Sequence, residues 1–238
     1  MSNEILDLSN ITYFSVLPNS DNDKNNNIKD ILKIGYETSK DIKFSRKVIY
    51  TAQKPDCDVF DFDIVEIDPI PYNRFDYWIL KNYKDLFNSD FMINFQGDGM
   101  IRNPTAWSKN FLDYDYIGAP WSQNFEGGNG GFSLRSKNMC RLMSEIDLTQ
   151  VNFENTERGS RDIQTNEDVL ICRTNNEFLK ICGIKFAPNE ISSKFSTEHW
   201  AFENSDFYDS FGFHEINSLS DTSIKNDRIN FLNATLNA

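Results

Sequence analysis

Residues 11–17, ITYFSVL, form an apolar, β-branched and aromatic run, the composition of a strand. A polar loop, PNSDNDKNNN (18–27), follows it. In IKDILKIGYETSKDI (28–42), Ile28, Ile31, Leu32 and Gly35 recur at helical spacing, and RKVIYTA (46–52) returns to strand character. A strand–helix–strand opening of this kind predicts a parallel α/β sheet.

The rest of the chain continues in that style. CDVFDFDIVEIDPI (57–70) alternates apolar and acidic residues like a half-exposed strand. YNRFDYWILKNYKDLF (72–87) is an amphipathic helix with Phe75, Trp78, Ile79 and Tyr83 inward. FMINF (91–95) has the pattern of a central strand covered on both faces. AWSKNFLDY (106–114) reads as a short helix, DYIGAPW (115–121) as extended chain, and GGNGGFSLRS (127–136) as a glycine-rich entry into a strand. Ser136 is placed to cap the helix that starts at Lys137, with Met139, Leu142, Met143 and Ile146 on one face. Residues 147–164 are expected as loop, 166–183 as one helix closed by Gly183, and 184–188 as a short strand stopped by Pro188. Residues 1–216 then make one α/β domain, and residues 217–238 a polar tail with a weak helix.

With 238 residues, 39% of them hydrophobic and 14% aromatic, the chain has ample material for one core. Its net charge of −12 argues against nucleic acid or anionic lipid as a partner, because both would repel it. A phosphorylated small molecule remains compatible if a metal ion supplies positive charge. Cys57, Cys140, Cys172 and Cys182 form no Cys-x-x-Cys pair and only two histidines exist, so a structural zinc site is not expected. Scattered cysteines and the absence of a basic, apolar leader fit a cytoplasmic protein, and no run approaches membrane-spanning length.

Several stretches admit both a structural and a chemical reading. Asp-x-Asp occurs at Asp21/Asp23, Asp56/Asp58, Asp61/Asp63 and Asp113/Asp115, too often in an acidic chain to mean anything by itself. Asp98 differs in setting. In INFQGDGMIRNP (93–104) it follows a buried strand between Gly97 and Gly99, where an open α/β sheet binds ligands. It is either a turn former or a ligand for Mg²⁺ or Mn²⁺, with Gln96 beside it. The loop Gly128, Asn129, Gly130 and Gly131 lacks the Walker A and G-x-G-x-x-G patterns; it is a strand-entry loop or a place where a sugar lies against backbone. Arg135 is a phosphate ligand or a salt-bridge partner. Glu167 and Asp168 suit the positive end of a helix, and either could serve as a general base. His214, in SFGFHE, is a packed imidazole or a metal ligand, and His199 poses the same question. Trp107, Trp121 and Trp200 are core aromatics or sugar-stacking platforms.

The order Asp98, Gly128–Gly131, Glu167-Asp168, His214 resembles the layout of GT-A fold glycosyltransferases. FQGDGMIRNPTAW, FLDYDYIGAPW, GNGGFSLRS, NEDV and FAP…FSTE…SFGFH resemble, over residues 72–214, a poorly characterised family usually placed near those enzymes. The resemblance implies a single-domain, Rossmann-like α/β fold with a mostly parallel sheet flanked by helices. It implies a nucleotide-sugar donor, a glycan acceptor, general-base chemistry at Asp168 or Glu167 with inversion, and a Mn²⁺ or Mg²⁺ ion on Asp98 and His214. Phe14, Val16, Gln96, Gly97, Asp98 and Arg135 would then line the donor site, and Trp121 with Gly128, Asn129, Gly130 and Gly131 the acceptor site. Gln96 stands where the usual motif has a first Asp. Nucleotidyl transfer on the same fold, or glycan binding without catalysis, are the rival readings.

Overall fold

The strand–helix–strand opening is present: β1 (Leu6–Leu17), α1 (Ile28–Ser39) and β2 (Ile42–Thr51), with β1 and β2 parallel. The computed structural model describes residues 5–18, 28–121, 126–148, 166–198, 209–214 and 222–238. Along the chain follow β3 (Asp63–Glu66), α2 (Phe75–Leu86), β4 (Phe91–Asn94), β5 (Met100–Ile101), β6 (Tyr116–Ala119), β7 (Asn129–Ser136) and α3 (Lys137–Glu145). Then come α4 (Glu167–Val169), α5 (Asn176–Ile181), α6 (Asn189–Phe195), β8 (Ser196–Thr197), β9 (Gly212–Phe213) and α7 (Thr222–Leu236).

The main sheet has six strands in the order β3-β2-β1-β4-β7-β6. Its β3, β2, β1 and β4 are parallel, while β7 runs antiparallel to both β4 and β6. The fold is therefore the expected α/β architecture, a mostly parallel sheet flanked by helices. A second, three-stranded sheet, β5-β9-β8, stands beside it.

Consecutive residues of a strand point to opposite faces, so where helices cover both faces of the sheet, successive positions are apolar. Phe14, Val48, Met92 and Tyr116 pack with Leu80, Tyr83, Met139 and Met143 of α2 and α3. Their neighbours Tyr13, Ile49, Ile93 and Ile117 pack on the other face with Ile31 and Leu32 of α1 and Phe195 of α6. Ser136 caps α3 as expected, its side chain accepting from the Met139 N–H at 3.1 Å.

Some elements differ from their sequence pattern. The helix expected over 166–183 breaks into α4, a π-helical turn at Leu170–Thr174, and α5. Asn175 explains the break: its backbone N–H (3.0 Å) and side-chain amide (2.9 Å) both donate to the Leu170 carbonyl five residues back. The segment 106–114 forms two 3₁₀ turns, Pro104–Ala106 and Lys109–Asp113, capped by the side chains of Asn103 and Ser108. Of the strand expected at 184–188, only Phe186 bridges to Tyr116. The polar tail contains the 15-residue α7. Its Ile229, Phe231, Leu232 and Leu236 pack on Ile34, Met100 and Phe213. Most of the loop expected at 147–164 lies outside the described residues.

Candidate functional site

The parallel part of the sheet ends in a switch point, where β1 leads to β2 on one side and β4 lies on the other; ligands of open α/β sheets bind beyond such strand ends. The chain leaving β4 turns back at once. Gln96 and Gly99 exchange both backbone hydrogen bonds, each at 3.1 Å, and put Gly97 and Asp98 at the tip. Neither glycine has a positive φ. What Gly99 supplies is room, since a Cβ there would stand 2.8 Å from the His214 ring.

Next to β4, the start of β7 is irregular. The β6–β7 register passes from Ile117 opposite Leu134 to Ala119 opposite Asn129, so β7 holds extra residues. The bulge takes the Gly130 carbonyl out of the ladder and turns it toward side chains. It accepts from Asn94 Nδ2 (2.8 Å), Ser133 Oγ (2.9 Å) and Arg135 Nη2 (3.1 Å). The Gly130 N–H donates to Asp168 Oδ2 at 2.9 Å. Gly127 and Gly128, with φ of +91° and +104°, make the turn into this segment.

One group of polar side chains gathers at Gly130. Arg135 is fully buried, ion-paired with Glu167 Oε1 at 2.8 Å, and stacked over Tyr83 and Tyr116 at 5.0 and 5.3 Å. Asp168 is 6% exposed; its other oxygen accepts from the Val169 N–H at 2.8 Å. Burial, and then the charge of Glu167, push the Asp168 carboxyl up to about 7 against the pull of the Gly130 N–H and Arg135.

A second group gathers at Gly131. His214 lies with Nδ1 3.3 Å from Glu198 Oε1, and with Nε2 3.3 Å from Gln96 Oε1 and 3.5 Å from Asp98 Oδ1. Asn129 ties this group to the strand: its Nδ2 donates to Glu198 at 2.9 Å and its Oδ1 accepts from the Gly131 N–H at 2.7 Å. Burial alone would lower the His214 pKa, but Asp98 and Glu198 hold it well above the ordinary imidazole value. Burial likewise opposes ionisation of Asp98, yet His214 outweighs it and keeps the carboxyl below its usual range. The Asp98 side chain is 33% exposed and that of His214 9%, so Asp98 is the member a ligand reaches.

With His214 deprotonated, the Asp98–His214 edge would offer the hard oxygen and imidazole donors that a Mg²⁺ or Mn²⁺ ion takes, together with Gln96 Oε1. Among the described residues, no group of three His, Cys, Asp or Glu side chains is placed to hold a metal. A cation there would complete its shell with water and ligand phosphate oxygens, a common arrangement for these ions.

A family model described as a protein of unknown function, DUF5672, matches residues 72–214. The chain belongs to the DUF5672 family. No curated protein matches it in sequence. Among solved structures it is similar to a glycosyltransferase involved in the glycosylation of the major capsid of PBCV-1. The TM-score is 0.51 at 12% identity, covering 96% of this chain and 99% of that one, a likeness of fold.

The DUF5672 chain brings Asp98, Gln96 and His214 into contact, and joins Asn129 to them through Glu198. Glu167 and Asp168 meet the same strand one residue away, at Gly130. Other expected roles need correction. Phe14 is completely buried and Val16 nearly so, both in the core, so the Phe14 side chain cannot touch a nucleotide base. Arg135 cannot meet a phosphate while it is buried against Glu167. The room left by the glycines is filled by the chain itself. A Cβ would stand 2.1 Å from the Ala119 carbonyl at Gly128, 2.4 Å from Glu167 at Gly130 and 2.0 Å from His214 at Gly131. Trp121 has the Arg173 guanidinium 4.4 Å from its ring centre, and Trp107 packs edge-on against Phe111 and Phe211. His199 and Trp200 lie outside the described residues.

The remaining Asp-x-Asp pairs that are described serve local structure. Asp61 pairs with Lys47 and Asp63 with Arg46, Asp58 accepts from the Phe60 N–H, and Asp115 accepts from the Lys185 N–H. Two residues of the site, Asn94 and Arg228, carry no local sequence signal, and Glu198 ends the FSTE segment, which implies no role for it; the partners of all three are distant in the chain. All four cysteines are free thiols. No helix among the described residues is long and apolar enough to cross a membrane.

Proposed function

We propose that the chain is a glycosyltransferase that moves a sugar from a nucleotide-sugar donor to a hydroxyl of a glycan acceptor, with inversion. The observation that carries this reading is the convergence of two polar groups on consecutive residues, Gly130 and Gly131, next to the switch point of the sheet. The similarity of fold to a glycosyltransferase supports it.

In this reading the donor diphosphate lies at Asp98, where Mn²⁺ or Mg²⁺ would be held by Asp98 and, once it has given up its proton to the incoming cation, by His214. When bound, the cation stabilises negative charge on the leaving diphosphate. Asp168 takes the acceptor proton as the hydroxyl attacks the anomeric carbon, and a pKa raised to about 7 suits a base working near neutral pH. Glu167, locked to Arg135, holds the start of α4 beside the strand and so positions Asp168. Attack from the side opposite the leaving group inverts the sugar, as in the inverting hydrolases.

The test is a screen of common nucleotide sugars with Mn²⁺, following release of nucleotide diphosphate. One donor should turn over slowly without acceptor. Asp168→Asn should keep donor binding and lose at least ~100-fold in rate. Absence of binding or turnover for every donor would overturn the assignment, and full activity in Asp168→Asn would remove Asp168 as the base.

A further inference from the structure

Arg228 lies on α7, in the segment the sequence marks as a polar tail, yet it is 1% exposed. A buried guanidinium needs acceptors, because desolvating its charge is expensive. It finds them at the edge of the site. Nη1 donates to the His214 carbonyl at 2.7 Å, and Nη2 to the Glu198 carbonyl at 3.2 Å and Thr197 Oγ1 at 3.5 Å. Its planar fork thus bridges the ends of β8 and β9, the two strands that deliver Glu198 and His214. Those ends are otherwise joined by the His214 N–H to the Thr197 carbonyl, 2.9 Å. Phe213 lies under the guanidinium at 5.2 Å and packs edgewise on Phe231 of α7. The charge of Arg228 also contributes to holding Asp98 ionised.

We propose that Arg228 is a positioning residue. From the C-terminal helix it fixes Glu198 and His214 relative to each other, so α7 is a working part of the site. Its consequence for ligand binding rests on the glycosyl-transfer reading above; its structural half does not. A lysine cannot reproduce the fork, so Arg228→Lys keeps the charge and loses the bridge, whereas Arg228→Leu loses both.

The experiment measures residue-resolved amide exchange and nucleotide binding in the full-length chain, in wild type, Arg228→Lys and Arg228→Leu. The His214 amide should lose protection by at least about tenfold in both variants, while amides of β1 and β4 keep theirs. Affinity for UDP, GDP or CDP with Mn²⁺ should fall about 10- to 100-fold in both, as expected when a ligand's supporting residue is removed. Unchanged His214 protection in Arg228→Lys overturns the proposal, as does lost protection with unchanged nucleotide affinity. If wild type binds no nucleotide, the glycosyl-transfer reading fails and the exchange data alone decide the role of Arg228. Arg228→Lys answers both questions if Arg228→Leu does not fold.

Discussion

Gly131→Ala is the sharpest test of whether the His214 group meets the strand at one backbone position. A Cβ at residue 131 would stand 2.0 Å from His214 Nε2 and 2.1 Å from Cδ2, whereas ordinary contact begins at 3.4 Å. The ring must retreat by about 1.4 Å, or the strand must shift. Retreat is obstructed, because Glu198 faces one ring nitrogen and Gln96 and Asp98 the other. Residue 131 has no positive φ, so the alanine adds crowding without backbone strain. Overpacking of this kind costs roughly 1–3 kcal/mol, which for a chain of this length lowers Tm by about 2–12 °C. Urea unfolding of Gly131→Ala, His214→Ala and the double variant gives the coupling. With the imidazole gone the new methyl has nothing to strike, so the double variant should be more stable than additivity predicts by about 1–3 kcal/mol. Gly183→Ala is the control: φ is +88° and nothing lies within 4 Å, so its cost is strain alone and its coupling to His214→Ala should vanish. Additivity within ~0.5 kcal/mol in the Gly131 cycle would show that the ring and the strand do not meet as described.

Three further outcomes follow from the same geometry. Because the folded-state pKa of Asp168 is raised from 3.8 to about 7, its contribution to stability is full below 3.8 and is lost as pH rises through about 7. Asp168→Asn should flatten that decline in urea titrations between those limits, and a parallel decline in the variant would mean that another group causes it. Arg135→Leu leaves Glu167 buried without its partner and should cost roughly 3–5 kcal/mol, while Arg135→Leu with Glu167→Leu should cost less than the single change; a double variant less stable than Arg135→Leu would contradict this. Under the glycosyl-transfer reading, replacing Mn²⁺ with a chelator should weaken nucleotide binding at least about tenfold by calorimetry, and Asp98→Ala should do the same even with Mn²⁺ present; equal affinity in both would remove Asp98 as a cation ligand.

The sheet was legible because its signal is local. ITYFSVL and FMINF are apolar at most positions on both faces because both faces of their strands are covered, and the pattern does not depend on which helix covers them. The extension of β1 back to Leu6 was not legible, since LDLSN is half-polar and becomes strand only by pairing with Ile42, Lys43 and Phe44. The break at Asn175 depends on one side chain competing for one carbonyl, an event that apolar spacing does not register. In α7, Ile229, Phe231, Leu232 and Leu236 are spread among asparagines without a clear stripe, and they matter only because Ile34, Met100 and Phe213 form a surface for them. At the site, Asp98 and Asp168 stood out by position, at a strand end and a helix start. Glu198 did not, because its meaning comes from Asn129 and His214, and neither is near it in the chain. The glycines pointed to close approach correctly, but the approaching groups are the protein's own.

The buried charges explain why a cation belongs to the proposed chemistry. Arg135 is spent on Glu167, His214 on Asp98 and Glu198, and Arg228 on the carbonyls of His214 and Glu198. Asp168 retains a proton up to about 7, which spares the site one further negative charge. The site is thus near balance before any diphosphate arrives, in a chain whose net charge is already −12. None of Arg135, Arg228 or His214 can swing outward to a phosphate without leaving a carboxylate or carbonyl unpaired in a buried place, a loss of roughly 1–3 kcal/mol or more. Among the described residues these three cations are committed to partners, so under the glycosyl-transfer reading a bound cation would supply positive charge to the donor diphosphate. Asp98, ionised and one-third exposed, is the group positioned to receive it. On this view Gln96 is no defect in a metal motif. A second carboxylate at that place would put another negative charge beside Asp98 at the same ring nitrogen, whereas the amide oxygen reaches His214 without adding charge.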